Sequence, residues 1–240
     1  MEKYDVAIIG GGSAGLAALK QLSTLGKQAV LLEAGEKVGA KNISGGILYS
    51  KKPNKGRVYN VEDIYGQSFV SEAPLQRKIT KYLLHATSND KVFSMDLTAA
   101  HEYQSNFGYS VLMNELNAWF AQSADESAQK CGGGIVPGVH VNDISYDDEK
   151  ERTTIQTDEL DEFQVKAVIA ADGVNSEVAQ ITHARQKFSA EQLYQGVKAV
   201  VKQPEDVIND TFKIGADGGV AHLFAGDITL NHLGGGFLYT

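Results

Sequence analysis

The chain has 240 residues, 42% hydrophobic and 22% charged, with 25 glycines, 4 prolines, one cysteine and a formal net charge of −8. This composition suits a globular protein with a sizeable core, in one large domain or two small ones. The acidic balance argues against nucleic acid as a partner, because phosphate binding needs a basic surface. The lone Cys131 excludes a disulfide within the chain and an iron–sulfur cluster held by four of its own thiolates. The histidines form no H-E-x-x-H or H-x3-H pair, so no metal site is expected. No apolar run approaches the ~20 residues of a membrane span, and no signal peptide precedes the first apolar run, so a cytoplasmic location is expected.

The first informative unit opens the chain. Val6 to Ile9 form a continuous apolar run, as in a parallel strand buried on both faces. Gly10-Gly11-Gly12-Ser13-Ala14-Gly15 follows, then a helical stretch with Leu16, Leu19, Leu22 and Leu25 at helical spacing, then Gly26 where a helix end is expected. A second apolar run, Ala29 to Leu32, closes on the acid Glu33. Strand, glycine turn, helix, strand and terminal acid form the βαβ context in which a G-x-G-x-x-G pattern means a dinucleotide site. Gly10 permits the tight turn, Gly12 the close approach of a pyrophosphate, and Gly15 the packing of helix on strand. The helix N-terminus offers N–H groups and the positive end of its dipole to the phosphates. Glu33 is placed to accept both hydroxyls of an adenosine ribose and to repel a 2′-phosphate. Gly11 to Gly15 also spells G-x-S-x-G, the nucleophile elbow of α/β-hydrolases. That elbow needs an oxyanion-hole loop earlier in the chain, and only a dozen residues precede Ser13. The expected role of Ser13 is to face a phosphate through its hydroxyl or its backbone N–H.

Residues 36–60 read as loop, and 61–105 as short amphipathic pieces without a firm element. The spacing of Leu112, Leu116, Trp119 and Phe120 predicts a helix over 109–128, with Trp119 in the core. A strand meander follows over 139–144, 152–157 and 163–170. Its acidic groups, Asp147 to Glu149 and Asp158 to Glu162, sit in solvated turns. The last strand delivers Asp172-Gly173 to its carboxyl end, where ligands bind in open α/β sheets. Asp172 is suited to a ribityl or ribose hydroxyl, and Gly173 to close approach.

Together these segments resemble FAD proteins of the glutathione-reductase-like superfamily. Within it they resemble the electron-transfer-flavoprotein–quinone oxidoreductases of the FixC-type branch. The branch assignment rests on Lys41 to Tyr49 and on Gly235-Gly236-Phe237-Leu238-Tyr239-Thr240. Gly10 to Gly15 and Ala171 to Ser176 are matches to the superfamily at large, and Gly196 to Lys198 and Pro204 to Ile208 match as well. The resemblance implies an α/β fold: an FAD-binding Rossmann-like βαβ domain with a parallel sheet and β-meander, plus the start of an antiparallel substrate domain. It implies FAD-binding residues 1–70 and 101–185, and a quinone-side domain over 71–100 and 186–240. Gly10, Gly12, Ser13, Ala14, Gly15, Glu33 and Ala34 would hold the dinucleotide. Lys41, Asn42 and Gly45 would pass near the isoalloxazine, and Asp172 and Gly173 would support the flavin. Lys41 would place positive charge beside reduced flavin. The flavin carries the redox chemistry in such proteins, so no acid–base residue is assigned.

The resemblance implies electron transfer from an electron-transfer flavoprotein to a quinone, another apolar substrate or a ferredoxin-like protein, with peripheral contact at the cytoplasmic membrane. A polyprenyl lipid reductase of geranylgeranyl-reductase type, an NAD(P)H-dependent flavin monooxygenase and a non-catalytic truncated remnant stay open. Two departures bear on the flavin. Met113 stands where family members often carry Arg, and the family continues past the strand that ends here at Thr240, into a third FAD-binding segment. Poor FAD retention and an exposed apolar final strand are therefore expected.

Overall fold

The computed structural model describes residues 3–49, 51–54, 57–100, 108–149, 151–229 and 234–240. In chain order the elements are β1 (Lys3–Ile9), α1 (Ser13–Thr24), β2 (Ala29–Glu33), β3 (Gly45–Tyr49), β4 (Lys51–Asn54), β5 (Arg57–Asn60), α2 (Val61–Tyr65), α3 (Phe69–Glu72), β6 (Leu75–Thr87), β7 (Val92–Asp96) and β8 (Gly108–Leu112). They continue with α4 (Met113–Gln129), β9 (Gly134–Pro137), β10 (Val141–Asp147), β11 (Arg152–Thr157), β12 (Phe163–Ala170), α5 (Glu177–Ile181), α6 (Glu205–Phe212), β13 (Gly218–Gly226) and β14 (Gly236–Tyr239). Two compact units divide them: residues 1–44 with 113–198, and residues 45–112 with 199–240.

The first unit is built on a sheet ordered β10-β11-β12-β1-β2-β9. The β12, β1, β2 and β9 strands run parallel, and the β10–β11–β12 meander is antiparallel. Every core residue of β1 and β2 from Ala7 to Ile9 and Ala29 to Leu32 is buried, as a two-sided parallel strand requires. One face packs Ala7, Ile9, Val30 and Leu32 against Val139, Val141, Ile155, Phe163, Val165 and Val178. On the helical side α1 packs on β1, β2 and α4. There Leu16, Leu19, Leu116 and Phe120 are wholly buried, each worth about 1.5–3 kcal/mol of transfer free energy. Gly26 ends α1 at φ +68°, with the Lys27 N–H donating to Leu22 O in a Schellman-type closure. The chain leaves β1 toward β2 on one side and returns on β12 at the other. The carboxyl end of β1 is therefore a topological switch point, where such sheets leave a crevice.

The second unit has a sheet ordered β14-β13-β6-β8-β3, with β7 also paired to β6, and a separate β4–β5 hairpin. Most of its pairs are antiparallel, but β13 runs parallel to β6. Ile79, Tyr82 and Ala221 form a buried cluster with Ile47, Tyr49, Leu97 and Tyr239 packed against it. On β6, Arg77 donates to Asn209 Oδ1 at 2.6 Å and to Gly218 O at 3.0 Å, tying α6 and the start of β13 to the sheet. β14 lies at one end of the strand order, with Phe237 67% exposed.

Several local expectations are corrected. Residues 109–112 are strand, not the first turn of a helix: β8 pairs with β3 and β6, and α4 begins only at Met113. Tyr109 and Val111 favour a pleated, half-buried surface, and pairing overrides a helical spacing that rested on Leu112. The buried stripe of α4 is Leu116, Asn117, Phe120, Ala121, Ala124 and Ala128, while Trp119 is half-buried. The stretch read as loop contains β3 and the β4–β5 hairpin, and the undivided 61–105 contains β6 and β7. β9, which extends the parallel sheet beyond β2, has no counterpart in the sequence reading. The FAD-side and quinone-side segments implied by the resemblance meet after 70, 100 and 185, which is a division by role; the compact units meet after 44, 112 and 198. His101 lies outside the described residues.

Candidate functional site

Three strand ends build the site. Gly10 follows β1, and its N–H donates to Leu32 O at 2.8 Å. Ala171 follows β12, and its N–H donates to Ile9 O at 2.8 Å. Gly10 has φ +106°, and a Cβ there would lie 2.5 Å from Ala171 O, so the two turns can pass only with glycine. At Gly15 a Cβ would lie 1.9 Å from Gly10 O: the helix sits on the turn itself. A Cβ on Gly12, by contrast, meets no protein atom within 4 Å. The space above Gly12 is open. Gly12 caps α1 in extended conformation, and no side chain caps the helix there. The first N–H groups of α1 are thus presented without a side-chain acceptor from the cap.

Glu33 organises this turn. Its Oε2 accepts the Gly11 N–H at 2.7 Å and its Oε1 the Gly35 N–H at 2.6 Å. Each carboxylate oxygen has two lone-pair sites, so one on each oxygen remains for a ligand hydroxyl. Across the crevice Asp172 Oδ2 accepts the Val178 N–H at 2.8 Å, holding the start of α5. Gly173 adopts φ +76° with open space where a Cβ would stand.

These groups line a cleft of about 380 Å³, inside the range of about 300–1,000 Å³ common for ligand sites. Gly10, Gly12, Glu33, Ala34, Lys41 and Asn42 stand on its walls, together with Asp172 and Gly173. Ser13, Ala14 and Gly15 form the first turn of α1. Gly45 opens β3 in the second unit. A larger, more open groove of about 620 Å³ lies against the meander and α5, between Tyr146, Thr153 and His183. It gathers none of the expected site residues, so the chemistry points to the smaller cleft.

Two further sets of residues belong to the cleft. Val139 and His140 line it from the segment between β9 and β10, and Val141 from the start of β10, with the Val139 N–H donating to Glu33 O at 3.0 Å. His140 Nε2 lies 3.6 Å from Glu177 Oε2 at the rim. The signal for them in the sequence is Gly138 after a short apolar run, which turns the chain at φ +75°. The second set is a side-chain relay behind the walls. Ser13 Oγ donates to Asn117 Oδ1 at 2.9 Å, and Asn117 Nδ2 donates to Asn42 Oδ1 at 2.8 Å.

The second unit carries its own polar cluster. His85 Nδ1 is 2.8 Å from Ser94 Oγ, and His85 Nε2 is 2.8 Å from His222 Nδ1. Both imidazoles stack with Phe224, and Phe212 of α6 tilts against His222. Burial, then the neighbouring His85 and Lys81, push the His222 pKa below its ordinary value. Tyr49 stacks on Tyr82, and burial raises both phenols above the usual range, so both stay neutral. The two histidines are 137 positions apart and meet only through the β6–β13 register, so no local pattern announces them.

No family model matches the chain. Over 238 residues it is 34% identical to Protein FixC of Escherichia coli strain K12 and 33% identical to Protein FixC of Salmonella typhi, covering 99% of this chain and 52% of each relative. It is 30% identical over 240 residues to the probable electron transfer flavoprotein-quinone oxidoreductase YdiS of Escherichia coli K12. The FixC-type resemblance drawn from the motifs is borne out along the whole chain, which spans about half the length of these relatives. Among solved structures, FqzB superposes with a TM-score of 0.59 at 21% identity, over 93% of this chain and 48% of that one. The p-nitrophenol 4-monooxygenase PnpA of Pseudomonas putida superposes at 0.54 and 17% identity, over 76% of this chain and 44% of its own. These likenesses show a shared fold.

Proposed function

We propose that this chain carries, in its first compact unit, the FAD cleft of a FixC-type oxidoreductase that takes electrons from an electron-transfer flavoprotein and passes them to a quinone or a ferredoxin-like protein. One observation carries the cofactor part of this reading. The glycine turn, Glu33 and Asp172-Gly173 converge at the carboxyl ends of β1, β2 and β12, around open space above Gly12. A pyrophosphate fits where backbone N–H groups and a helix N-terminus face a position with room for it. Glu33 keeps lone pairs for the ribose hydroxyls, and its charge disfavours a 2′-phosphate. Lys41 and Asn42 supply polar contact on another wall, and Asp172 offers its second carboxylate oxygen toward a hydroxyl. Bound FAD would supply the electron-carrying chemistry. The protein's part is to bind, orient and shield it. The name of the YdiS relative, a probable electron transfer flavoprotein-quinone oxidoreductase, supports the electron-transfer assignment. Among the described residues no helix is long and apolar enough to cross a membrane.

Titration of the purified chain with FAD and with ADP, read by flavin fluorescence and calorimetry, tests the cofactor. Saturable binding of both is expected. Binding of neither would overturn the cofactor reading. With FAD bound, reduction of the flavin by reduced electron-transfer flavoprotein is expected; no reduction, with rapid NADPH oxidation instead, sinks the electron-transfer assignment.

A further inference from the structure

We propose that Asn117 is the positioning residue of the cleft: it ties the phosphate-side turn of α1 to the loop carrying Lys41 and Asn42, and so sets where that loop stands against a bound cofactor. This inference rests on the cofactor reading of the cleft.

Asn117 is 1% exposed, on a helix stripe otherwise made of Leu116, Phe120 and alanines. A polar amide in such a place is unfavourable unless both ends are satisfied. Both are, by groups distant in sequence: Ser13 on the oxygen, 104 positions away, and Asn42 on the nitrogen, 75 positions away. Neither partner serves α4 itself. One stands on the first turn of α1 and the other on a cleft wall.

The same end of α4 grips the loop twice more. The Met113 N–H donates to Ser44 O at 3.1 Å. Gly39, at φ +88°, lies so close to Asn114 that a Cβ would stand 2.5 Å from its carbonyl oxygen. The loop's own bonds are short-range turns, Ala40 N–H to Lys37 O and Asn42 N–H to Gly39 O. These hold its shape but not its place. Of the contacts that fix its place on α4, the bond to Asn117 is the one made by the side chain of a cleft-lining residue.

The relay also settles what Ser13 can do. A hydroxyl has one proton to donate. That of Ser13 is directed to Asn117 Oδ1, so toward an anion Ser13 contributes its backbone N–H.

The test compares Asn117→Leu, which keeps the branched shape with a larger volume and removes both bonds, with Asn117→Asp. The latter can accept from the Ser13 hydroxyl and from the Asn42 amide after that amide turns over. Hydrogen exchange of the ligand-free chain is expected to rise at the 40–44 amides in Asn117→Leu and to stay near wild type in Asn117→Asp. FAD affinity is expected to fall about tenfold or more in the first variant, the weight of one to two hydrogen bonds; in the second the added negative charge also opposes the phosphates, so the two variants are compared by exchange. Unchanged exchange at 40–44 in Asn117→Leu, or an equal rise there in both variants, overturns the proposal. If neither wild type nor variants bind FAD or ADP, the cofactor reading fails, and the exchange measurement still decides the role of Asn117.

Discussion

The two compact units differ in the polar contacts they rely on most, although the first also holds the Ser13–Asn117–Asn42 side-chain relay and the second an Asp96 carboxylate on the Thr98 N–H. In the first, acids accept backbone N–H groups: Glu33 from Gly11 and Gly35, Asp172 from Val178, Asp125 from Ile135, Asp5 from Gln28. In the second, side chains meet side chains across strands: His85 with His222, and Tyr49 on Tyr82. Carboxylates on main-chain amides fix loops where strands end, which is what a phosphate-binding crevice needs. Ring-to-ring contacts fix strand register and leave a titratable face.

The sharpest way to break this contrast is at the backbone of the first unit. Gly15→Ala drives a methyl group to 1.9 Å from Gly10 O. The helix must lift off the turn, at a cost of about 3 kcal/mol or more in urea-unfolding stability, with loss of ADP and FAD binding. A variant that unfolds and binds like wild type would mean that the turn is not built by close packing. Next comes Glu33→Gln. A side-chain amide nitrogen cannot accept, so one of the two N–H bonds at 2.6 and 2.7 Å is lost and the other loses its charge. About 2 kcal/mol is expected, with ADP affinity falling in parallel.

The contrast also explains what could be read from the sequence. A crevice made by backbone leaves glycines and acids at regular places, so Gly10 to Gly15, Glu33 and Asp172-Gly173 were legible before any coordinates. A two-sided parallel strand such as β1 is legible as an unbroken apolar run. The second unit has no such marks. β6 interrupts its own alternation with an irregular register between Leu75 and Lys78. β8 carries a spacing that also fits a helix, and the His85–His222 pair exists only once β6 and β13 are aligned. Asn117 escaped for a related reason. A polar residue beside Leu116 looks like the edge of a solvent face until Ser13 and Asn42 are seen to meet it.

In the second unit the pH is the lever. The ordinary histidine pKa is 6.5 and that of folded His222 lies lower, because burial and then His85 and Lys81 disfavour its charge. Below pH 6.5 the unfolded chain takes up the proton more readily than the folded one, so stability is full above 6.5 and falls as pH drops toward the folded value. His222→Phe removes this term and one hydrogen bond of about 1 kcal/mol, keeping the stack with Phe224. Urea midpoints at pH 7.5 and 5.5 are expected to differ less in the variant than in wild type. An equal pH response in both would show that the imidazole pair does not govern this unit.

The smallest expected effect separates acid-to-backbone from acid-to-base contacts within the first unit. Asp5 accepts the Gln28 N–H at 3.1 Å and meets Lys166 Nζ at 2.5 Å. Lys166 is the leading reason that the Asp5 carboxyl sits below its usual range, with the Gln28 N–H second. Yet the lysine side chain is 60% exposed, and an ion pair in water holds little net free energy once screening and side-chain ordering are counted. Lys166→Ala is therefore expected to lower stability by no more than about 0.5 kcal/mol. Asp5→Ala, which also strips the acceptor from the β1–β2 junction, should cost about 1 kcal/mol. Raising the salt to 1 M should erase the first difference and leave the second. If Lys166→Ala proved the more damaging, the first unit would be held by its surface charges, and the contrast with the second unit would fall.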